Sequence, residues 1–416
     1  MTELELMGER AKEASRIMAV ADTSRKNSAL LHIAFEIDKR RDEWIAANLE
    51  DLKAARESGM RESLIDRLSL NDKRIDGIVE SLKEIVALPD PIGETLDGVR
   101  RPNGLFIAKR RVPIGVIGII YEARPNVTVD AAALTLKTGN AVILRGGKEA
   151  INSNKAVVNI MREAIASAGI PEDAVMLVTD TSRESATELM HLSKYLDVLI
   201  PRGGRNLIRS VVDNASVPVI RTGEGVCHIY VESSADLNLG AKILFNAKCQ
   251  RPSVCNAAEC VIIDEAVLKP FLDAAVPLLD DKHVELRCDE KALEVLGSRG
   301  VPATVEDWDT EYGDQILAVK TVKNEDEALR FISDHSTGHS EAIITGNYGA
   351  AERFLNEVDA AAVYVNASTR FTDGGEFGLG AEIGISTQKI HARGPMGLKE
   401  LTSYKYVVYG NGQIRE

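Results

Sequence analysis

The spacing of hydrophobic residues predicts helices in the first part of the chain. From residue 2 to about residue 90, apolar side chains recur at helical spacing, and Asp22 and Asn71 are typical residues to precede a helix. Pro89 and Pro91 end this region. The next stretch, residues 98–112, is basic and strand-like, and we expect it to form an extended arm.

From residue 113 onwards the pattern changes to short buried strands that alternate with helices. This alternation predicts a parallel, doubly wound sheet, in which ligands bind at the carboxyl ends of the strands. The predicted strands are 113–120, 141–145, 174–178, 196–200 and 217–221. The predicted helices are 127–137, 152–167, 182–192 and one after Arg205.

A second series of the same kind begins with a helix that Asp236 caps. Its further strands are expected at 260–263, 315–322, 341–345 and 361–366, and its helices at 265–279, 325–333 and 348–358. The pattern therefore predicts a second α/β domain. A glycine-rich tail follows from residue 372 and ends in a β-like stretch at 404–409, which is too short to be stable alone. We expect that stretch to pair with the 98–112 arm of another subunit.

Composition limits the possible partners and the compartment. A net charge of −13 argues against a protein that binds nucleic acid or an anionic membrane, although local arginines could still hold a small anionic substrate. The N-terminus lacks a basic start followed by an apolar run, and the five cysteines contain no Cys-x-x-Cys pair. We expect a cytoplasmic protein with reduced thiols. The scattered histidines give no support for a metal site.

Cys255 lies in a predicted turn between the helix after Asp236 and the strand at 260–263. A thiol in that position can be exposed at the end of rigid elements, and the nearby cations Lys248 and Arg251 would favour the nucleophilic thiolate. The alternative is that Cys255 fills space in the core, as cysteines commonly do. The other four cysteines, 227, 249, 260 and 288, are expected to be buried packing residues.

Two glycine pairs follow predicted strands in the first sheet, Arg145-Gly-Gly-Lys148 and Pro201-Arg-Gly-Gly-Arg205. Each pair precedes a helix, where backbone amides and the helix dipole favour a phosphate. Neither is a GxGxxG motif or a P-loop, so each pair alone is also explained by a tight turn. Two such turns in one sheet favour a dinucleotide.

The segment Glu122-Ala-Arg-Pro-Asn-Val127 follows the first strand of that sheet. Asn126 could donate its amide to a developing oxyanion, and Arg124 could hold a carboxylate or a phosphate. The alternative for Asn126 is a turn or a helix cap.

These elements together resemble the aldehyde dehydrogenase superfamily and, within it, the gamma-glutamyl phosphate reductase family. The resemblance covers essentially the whole chain. It is carried by Tyr-Glu-Ala-Arg-Pro-Asn-Val-Thr128, Leu-Arg-Gly-Gly-Lys-Glu149, Ile-Pro-Arg-Gly-Gly204, Cys-Gln-Arg-Pro-Ser-Val-Cys-Asn-Ala-Ala-Glu259, Asp-Thr-Glu-Tyr-Gly313 and Glu-Phe-Gly-Leu-Gly-Ala-Glu-Ile-Gly384. It implies two doubly wound parallel α/β domains plus a β-arm for oligomerisation. The implied boundaries are 1–97 with 113–233 for the NADPH-binding domain, 234–370 for the catalytic domain, and 98–112 with 385–416 for the arm and tail.

The resemblance also implies roles for individual residues. Cys255 would be the nucleophile, and Asn126 with the backbone amide of Cys255 would stabilise the oxyanion. Glu311 would hold the nicotinamide ribose, although the acidic stretch around it also fits an ordinary surface carboxylate. The remaining expected ligands are Arg145, Gly146, Gly147, Lys148, Gly203 and Gly204 for NADPH, with Lys148 at the 2′-phosphate on charge grounds, and Arg124 and Arg370 for the substrate.

The implied reaction is the NADPH-dependent reduction of L-glutamyl 5-phosphate through a cysteine thioester, in proline biosynthesis. Hydrolytic members carry a glutamate in a Glu-Leu-Gly-Gly segment. The corresponding segment of this chain reads Ile220-Arg-Thr-Gly-Glu-Gly-Val-Cys227, in which the glutamate lies at a different position. This difference fits an enzyme that needs no activated water. A homo-oligomer and a transient contact with glutamate 5-kinase are the expected assemblies. The alternatives are a reductase for acyl-CoA or another acyl phosphate, and a non-catalytic NADPH-binding or scaffold protein.

Overall fold

The structure is a computed structural model that describes residues 1–122 and 124–415. The helices are α1 (Glu3–Met18), α2 (Thr23–Lys39), α3 (Arg41–Glu57), α4 (Glu62–Leu68), α5 (Asp72–Ala87), α6 (Pro125–Lys137), α7 (Ile151–Ser167), α8 (Arg183–Met190), α9 (Arg205–Asn214), α10 (Leu237–Cys249), α11 (Leu268–Asp280), α12 (Glu290–Leu296), α13 (Glu325–His335) and α14 (Tyr348–Glu357). The strands are β1 (Thr95–Arg100), β2 (Phe106–Pro113), β3 (Val116–Tyr121), β4 (Ala141–Arg145), β5 (Val175–Leu177), β6 (Val198–Arg202), β7 (Cys227–Val231), β8 (Ala258–Asp264), β9 (Glu285–Cys288), β10 (Gly300–Pro302), β11 (Ile316–Val322), β12 (Ser340–Ile344), β13 (Ala362–Val365), β14 (Ile385–Ser386), β15 (Gly394–Pro395) and β16 (Thr402–Tyr409).

The chain divides into two compact units. Unit 1 comprises Met1–Arg221, Gly378–Gly384 and Met396–Glu416, and unit 2 comprises Thr222–Phe377 and Ile385–Pro395. The first boundary between the two units therefore lies at residues 221–222, before β7. The predicted end of the NADPH-binding domain lies later in the chain, at residue 233.

Unit 1 contains a parallel sheet in the order β5-β4-β3-β6 and the predicted N-terminal helices. The side chains of Asp22 and Asn71 accept hydrogen bonds from the backbone amides of Arg25 and Arg74, which begins α2 and α5 as expected. The strands are almost wholly buried because helices cover them, as a parallel sheet requires. The residues at 217–221 do not form the predicted strand, since only an isolated bridge joins Val219 to Leu199.

The basic arm forms a hairpin of β1 and β2, and β16 completes a three-stranded antiparallel sheet in the order β1-β2-β16. The register of β2 with β16 runs from Pro113 opposite Thr402 to Phe106 opposite Tyr409. The prediction that this tail would pair with another subunit is wrong, because the partner strand belongs to the same chain. Pairing within the chain satisfies the backbone groups of β16 without the entropy loss of association.

Unit 2 contains a seven-stranded sheet in the order β10-β9-β11-β8-β7-β12-β13, with every pairing parallel. One hydrophobic cluster joins one face of the sheet to α10 and α11 through residues such as Val231 and Phe271. A second cluster joins the other face to α13 and α14 through residues such as Tyr230 and Phe354. Helices on both faces confirm the predicted doubly wound fold. The pattern missed the short strands β9 and β10, which span only 285–288 and 300–302.

Within the described part of the chain, the helices are too short or too polar to cross a membrane.

Candidate active site

The predicted site residues are divided between the two units. Cys255 belongs to unit 2, where α10 ends at Cys249 and β8 begins at Ala258. The carboxylate of Asp236 accepts hydrogen bonds from the backbone amides of Asn238 and Leu239 and so begins α10. Cys255 lies half-buried in the turn, as predicted, whereas the other four cysteines are buried. Both ends of the turn are anchored in the core.

The backbone of Cys255 rests directly on the segment that leads into β7. A Cβ atom on Gly225 would lie 1.4 Å from the carbonyl oxygen of Cys255, so only glycine fits at this position. Two residues on, the buried thiol of Cys227 donates a hydrogen bond to the same carbonyl oxygen, with a sulfur–oxygen distance of 3.2 Å. Burial raises the pKa of the Cys227 thiol well above its usual range, so Cys227 remains a donor at neutral pH.

Asn256, the residue after Cys255, is tied to the segment that follows β13. The Asn256 side-chain nitrogen donates to the carbonyl oxygen of Thr372 at 2.9 Å, and Thr369 Oγ1 donates to the Asn256 carbonyl oxygen at 2.7 Å. Arg370 donates through Nη1 to Asn256 Oδ1 and through Nε to Gln250 Oε1 at 2.9 Å. The Arg370 guanidinium thus spans the turn that carries Cys255.

Burial and repulsion by Arg251 lower the pKa of Arg370, while a Cys255 thiolate opposes that effect. The charges of Arg370 and Cys255 therefore interact, and the cation favours the thiolate.

Lys248 does not act as the expected activating cation. Its ammonium is fully buried and lies 2.6 Å from Glu259 Oε2, in an ion pair that joins the end of α10 to the start of β8. Burial raises the pKa of Glu259 to about 7, and Lys248 opposes that rise. The positive charge of Lys248 is offset by this partner, so the prediction that Lys248 stabilises the thiolate is wrong.

Glu311 lies close to the same pair. The backbone amide of Gly313 donates to Glu259 Oε1 at 3.3 Å, and the negative charge of Glu311 contributes to the raised pKa of Glu259 and of Cys227. The Glu311 side chain is half-buried rather than fully exposed. Unit 2 therefore gathers Cys255, Arg370 and Glu311 around one turn.

In unit 1, the first glycine pair follows β4 as expected. Arg145 donates through Nη2 to the carbonyl oxygens of Thr181 and Ser182, at 2.9 and 3.0 Å. Its guanidinium therefore holds the loop after β5. Lys148 is exposed at the start of a short 3-10 turn, and Gly147 precedes it with extended backbone.

Gly146 is required for close packing. A Cβ atom there would lie 2.2 Å from Asn154 Nδ2. This Asn154 nitrogen and Arg145 Nε are buried donors that have no hydrogen-bond acceptor in residues 1–122 and 124–415.

The second glycine pair lies between β6 and α9. Gly204 precedes α9, and its amide donates to Glu122 Oε2 at 2.9 Å. A Cβ atom on Gly203 would lie 2.7 Å from the Glu122 carboxyl carbon. A carboxylate of this chain thus occupies the anion position that the helix N-terminus offers.

Arg124 precedes α6 and is half-buried, and Asn126 lies in the first turn of that helix with an exposed side chain. Asn126 Nδ2 donates to Asp130 Oδ2 at 3.2 Å. Burial raises the pKa of Asp130 to about 6, while Asn126 and Arg202 oppose the rise. Asn126 is not the cap of α6, because Arg124 holds that position and no side chain caps the helix, so the helix-cap alternative is not what the structure shows. The contact with Asp130 fixes the direction of the Asn126 amide.

Several hydrogen-bond donors lie at the carboxyl edge of the unit 1 sheet. The exposed side chain of Lys148 and the buried donors Arg145 Nε and Asn154 Nδ2 lie on this edge, whereas the Glu122 carboxylate already occupies the N-terminus of α9.

The family model of the aldehyde dehydrogenase family matches residues 2–292 and 299–407. This chain belongs to that family. Aldehyde dehydrogenases use a nicotinamide cofactor, so the chain is an oxidoreductase that acts with such a cofactor on a small molecule.

Proteins that are similar to this chain over its whole length carry the name gamma-glutamyl phosphate reductase. The gamma-glutamyl phosphate reductase of Clostridium perfringens strain 13 is 57% identical over 413 residues, which are 99% of each chain. The enzyme of that name from Carboxydothermus hydrogenoformans is 56% identical over 415 residues, which are 100% of each chain. The crystal structure of gamma-glutamyl phosphate reductase from Thermotoga maritima superposes with a TM-score of 0.97 at 52% identity and covers 100% of both chains.

Sequence reasoning missed several residues that hold the nucleophile turn. Cys227 was expected to be a buried packing residue, and Glu259 was given no role. The contact between Gly225 and Cys255 has no periodic signal in the sequence. The hydrogen bonds of Asn256 could have been predicted in general terms, since a buried polar residue in a turn needs hydrogen-bond partners.

Proposed function

We propose that the chain reduces L-glutamyl 5-phosphate with NADPH to L-glutamate 5-semialdehyde and phosphate, in proline biosynthesis. The observation that carries the proposal is the half-buried thiol of Cys255, in a turn held by Cys227 and crossed by the Arg370 guanidinium. Relatives that match over the whole length carry the name gamma-glutamyl phosphate reductase, which supplies the substrate class.

The Cys255 thiolate attacks the γ-carbonyl carbon, so that a carbon–sulfur bond forms and a tetrahedral oxyanion develops. The oxyanion collapses with loss of phosphate and leaves a thioester on Cys255. When bound, a reduced nicotinamide would supply the hydride that adds to the thioester carbon. The Cys255 thiolate then leaves from the resulting thiohemiacetal, which releases the aldehyde. The covalent route replaces one difficult substitution with two easier steps.

The oxyanion needs hydrogen-bond donors, and Asn126 with the backbone amide of Cys255 remains our prediction for them. For the cofactor, we assign Lys148 to the 2′-phosphate of NADPH, because its ammonium is exposed at the end of β4. The turns at Gly146, Gly147, Gly203 and Gly204 would line the dinucleotide, and Glu311 would hold the nicotinamide ribose. Arg145 would act there through Nε, since its Nη2 atom is already engaged.

Arg124 and Arg370 are proposed to hold anionic groups of the substrate. Arg370 is the stronger candidate, because its charge interacts with Cys255.

The reverse reaction tests the proposal, since the acyl phosphate itself is unstable. The protein is mixed with L-glutamate 5-semialdehyde and NADP⁺, and NADPH formation is followed with inorganic phosphate, with coenzyme A, and with neither. We expect turnover only with phosphate. Turnover with coenzyme A would support an acyl-CoA reductase, turnover with neither acceptor would support a hydrolytic dehydrogenase, and no turnover would support a non-catalytic protein.

We further propose that the sheet of β1, β2 and β16 joins copies of this chain into a homo-oligomer. Strand β1 is exposed along its whole length, and Tyr404, Tyr406 and Val408 of β16 are exposed apolar residues. Multi-angle light scattering of the intact chain and of a Tyr406→Glu variant tests the assembly.

The transient contact with glutamate 5-kinase and a cytoplasmic location, the latter suggested by the five free cysteines, are part of the same proposal.

A further inference from the structure

We propose that Arg251 and Arg370 together form the subsite for the phosphoryl group that leaves from Cys255. The inference rests on the proposed function and assigns Arg251, an exposed residue of the nucleophile turn, to substrate binding. It also assigns Arg370 to the phosphate rather than to the α-carboxylate.

The first argument is the position of the two guanidiniums. Arg370 is held by Gln250 Oε1 on one side of the turn and by Asn256 Oδ1 on the other, and Cys255 directly precedes Asn256. Arg251 directly follows Gln250, and its charge repels that of Arg370. One cation, Arg251, therefore belongs to the short turn that carries Cys255, and the second, Arg370, is held against that turn from the segment after β13.

The second argument is the lack of a neutralising partner. Both acceptors of Arg370 are side-chain amides, and among residues 1–122 and 124–415 neither Arg370 nor Arg251 forms an ion pair. Asp373 and Glu376 offset the charge of Arg370 only from a distance. Repulsion between the two cations is relieved when a dianion binds, and phosphate oxygens match the donor fork of arginine.

The third argument comes from the substrate. The phosphoryl oxygen is bonded to the carbonyl carbon that Cys255 attacks, whereas the α-carboxylate lies at the far end of the carbon chain. A pair of cations beside the nucleophile is therefore placed for the leaving phosphate. Arginine donors there would also stabilise the charge that develops on the phosphate as the carbon–oxygen bond breaks.

The test is the Michaelis constant for phosphate in the reverse reaction. Arg251→Gln should raise the KM for phosphate about ten- to hundredfold, as expected for the loss of a charge-assisted hydrogen bond. The KM for NADP⁺ and for L-glutamate 5-semialdehyde should change less than twofold. Arg251→Lys should give an intermediate KM for phosphate, because it keeps the charge without the fork. Arg330→Gln, which removes an exposed arginine from α13 of the same unit, is the matched control.

Alkylation of Cys255 by iodoacetamide gives a readout that does not depend on turnover. Inorganic phosphate should slow alkylation in the wild-type chain, and Arg251→Gln should need a correspondingly higher phosphate concentration for the same protection. An unchanged KM for phosphate in Arg251→Gln would overturn the inference. A rise in the KM for the semialdehyde alone would also overturn it, because the pair would then bind the α-carboxylate. If the wild-type chain shows no phosphate-dependent turnover, while phosphate still protects Cys255 through Arg251, the proposed function fails and the anion subsite stands.

Discussion

Replacing Gly225 by alanine tests whether the turn that carries Cys255, between α10 and β8, must rest on the segment before β7. The added Cβ atom would lie 1.4 Å from the carbonyl oxygen of Cys255 and 2.4 Å from its carbonyl carbon. Ordinary van der Waals contact begins at 3.4 Å, so one of the two backbones has to move. The shift is on the order of 2 Å, because neither contact atom is the end of a flexible side chain.

Such a shift displaces Cys255, which is the nucleophile in the proposed reaction. A misplacement of about 1 Å at a reacting group costs on the order of 10²-fold in rate, so we expect Gly225→Ala to lower kcat by at least that factor. The hydrogen bond from Cys227 to the Cys255 carbonyl should be lost in the same variant. Steady-state kinetics of the reverse reaction and the rate of Cys255 alkylation, read by mass spectrometry, measure the two effects.

Gly77→Ala is the matched control for this substitution. Gly77 lies within α5, and its added Cβ atom would contact nothing within 4 Å, so alanine should leave kcat unchanged and add about 0.5–1 kcal/mol of stability. Wild-type kcat and alkylation rate in a folded Gly225→Ala protein would refute the reasoning, because the turn would then tolerate the displacement.

Four further variants test the ion pair, the titration of its carboxylate and the proposed oxyanion donor. Lys248→Met should lower the free energy of unfolding in urea by about 3–5 kcal/mol, because it leaves Glu259 buried without a counter-charge. The double variant Lys248→Met/Glu259→Leu should recover most of that loss. A loss below about 1 kcal/mol for the single variant would contradict this reasoning. Since burial raises the pKa of Glu259 from 4.5 to about 7, the folded state binds its proton more tightly than the unfolded state, and stability should fall by about 3 kcal/mol as the pH rises through that interval. Glu259→Gln should lack this slope, and an identical pH profile in both proteins would count against the titration. Asn126→Ala should lower kcat by about 10²–10³ without changing cofactor affinity measured by fluorescence, whereas a wild-type rate would leave Asn126 as a turn residue only.

Local signals in the sequence were sufficient for much of the fold. Asp22, Asn71 and Asp236 each cap the helix that was expected after them, because a capping side chain acts on amides two or three residues away. The strand at 141–145 has the bounds that its run of apolar residues predicted. The stretch at 217–221 has the same apolar character but forms only one bridge, to Leu199 of the edge strand β6, because Pro218 has no backbone N–H to donate to a strand ladder.

The site was less open to prediction, since its contacts join residues far apart in sequence. Cys255 and Arg370 were identified from the turn context and from family resemblance, but the binding of Arg370 to Gln250 and Asn256 has no pattern in the sequence. Lys248 was misjudged because its proximity to Cys255 in sequence was visible, whereas the carboxylate that neutralises it was not. A buried charge acts through its partner, and the fold decides which partner that is.

Direct detection of the acyl group on Cys255 tests the central claim. The wild-type chain is mixed with L-glutamate 5-semialdehyde and NADP⁺ without phosphate, quenched in acid, digested and analysed by mass spectrometry. We predict a glutamyl thioester on the peptide that contains Cys255, formed with a burst of up to one NADPH per chain and removed when phosphate is added before the quench. A burst without a Cys255 adduct, or an adduct that phosphate does not remove, would contradict the thioester mechanism with an acyl phosphate.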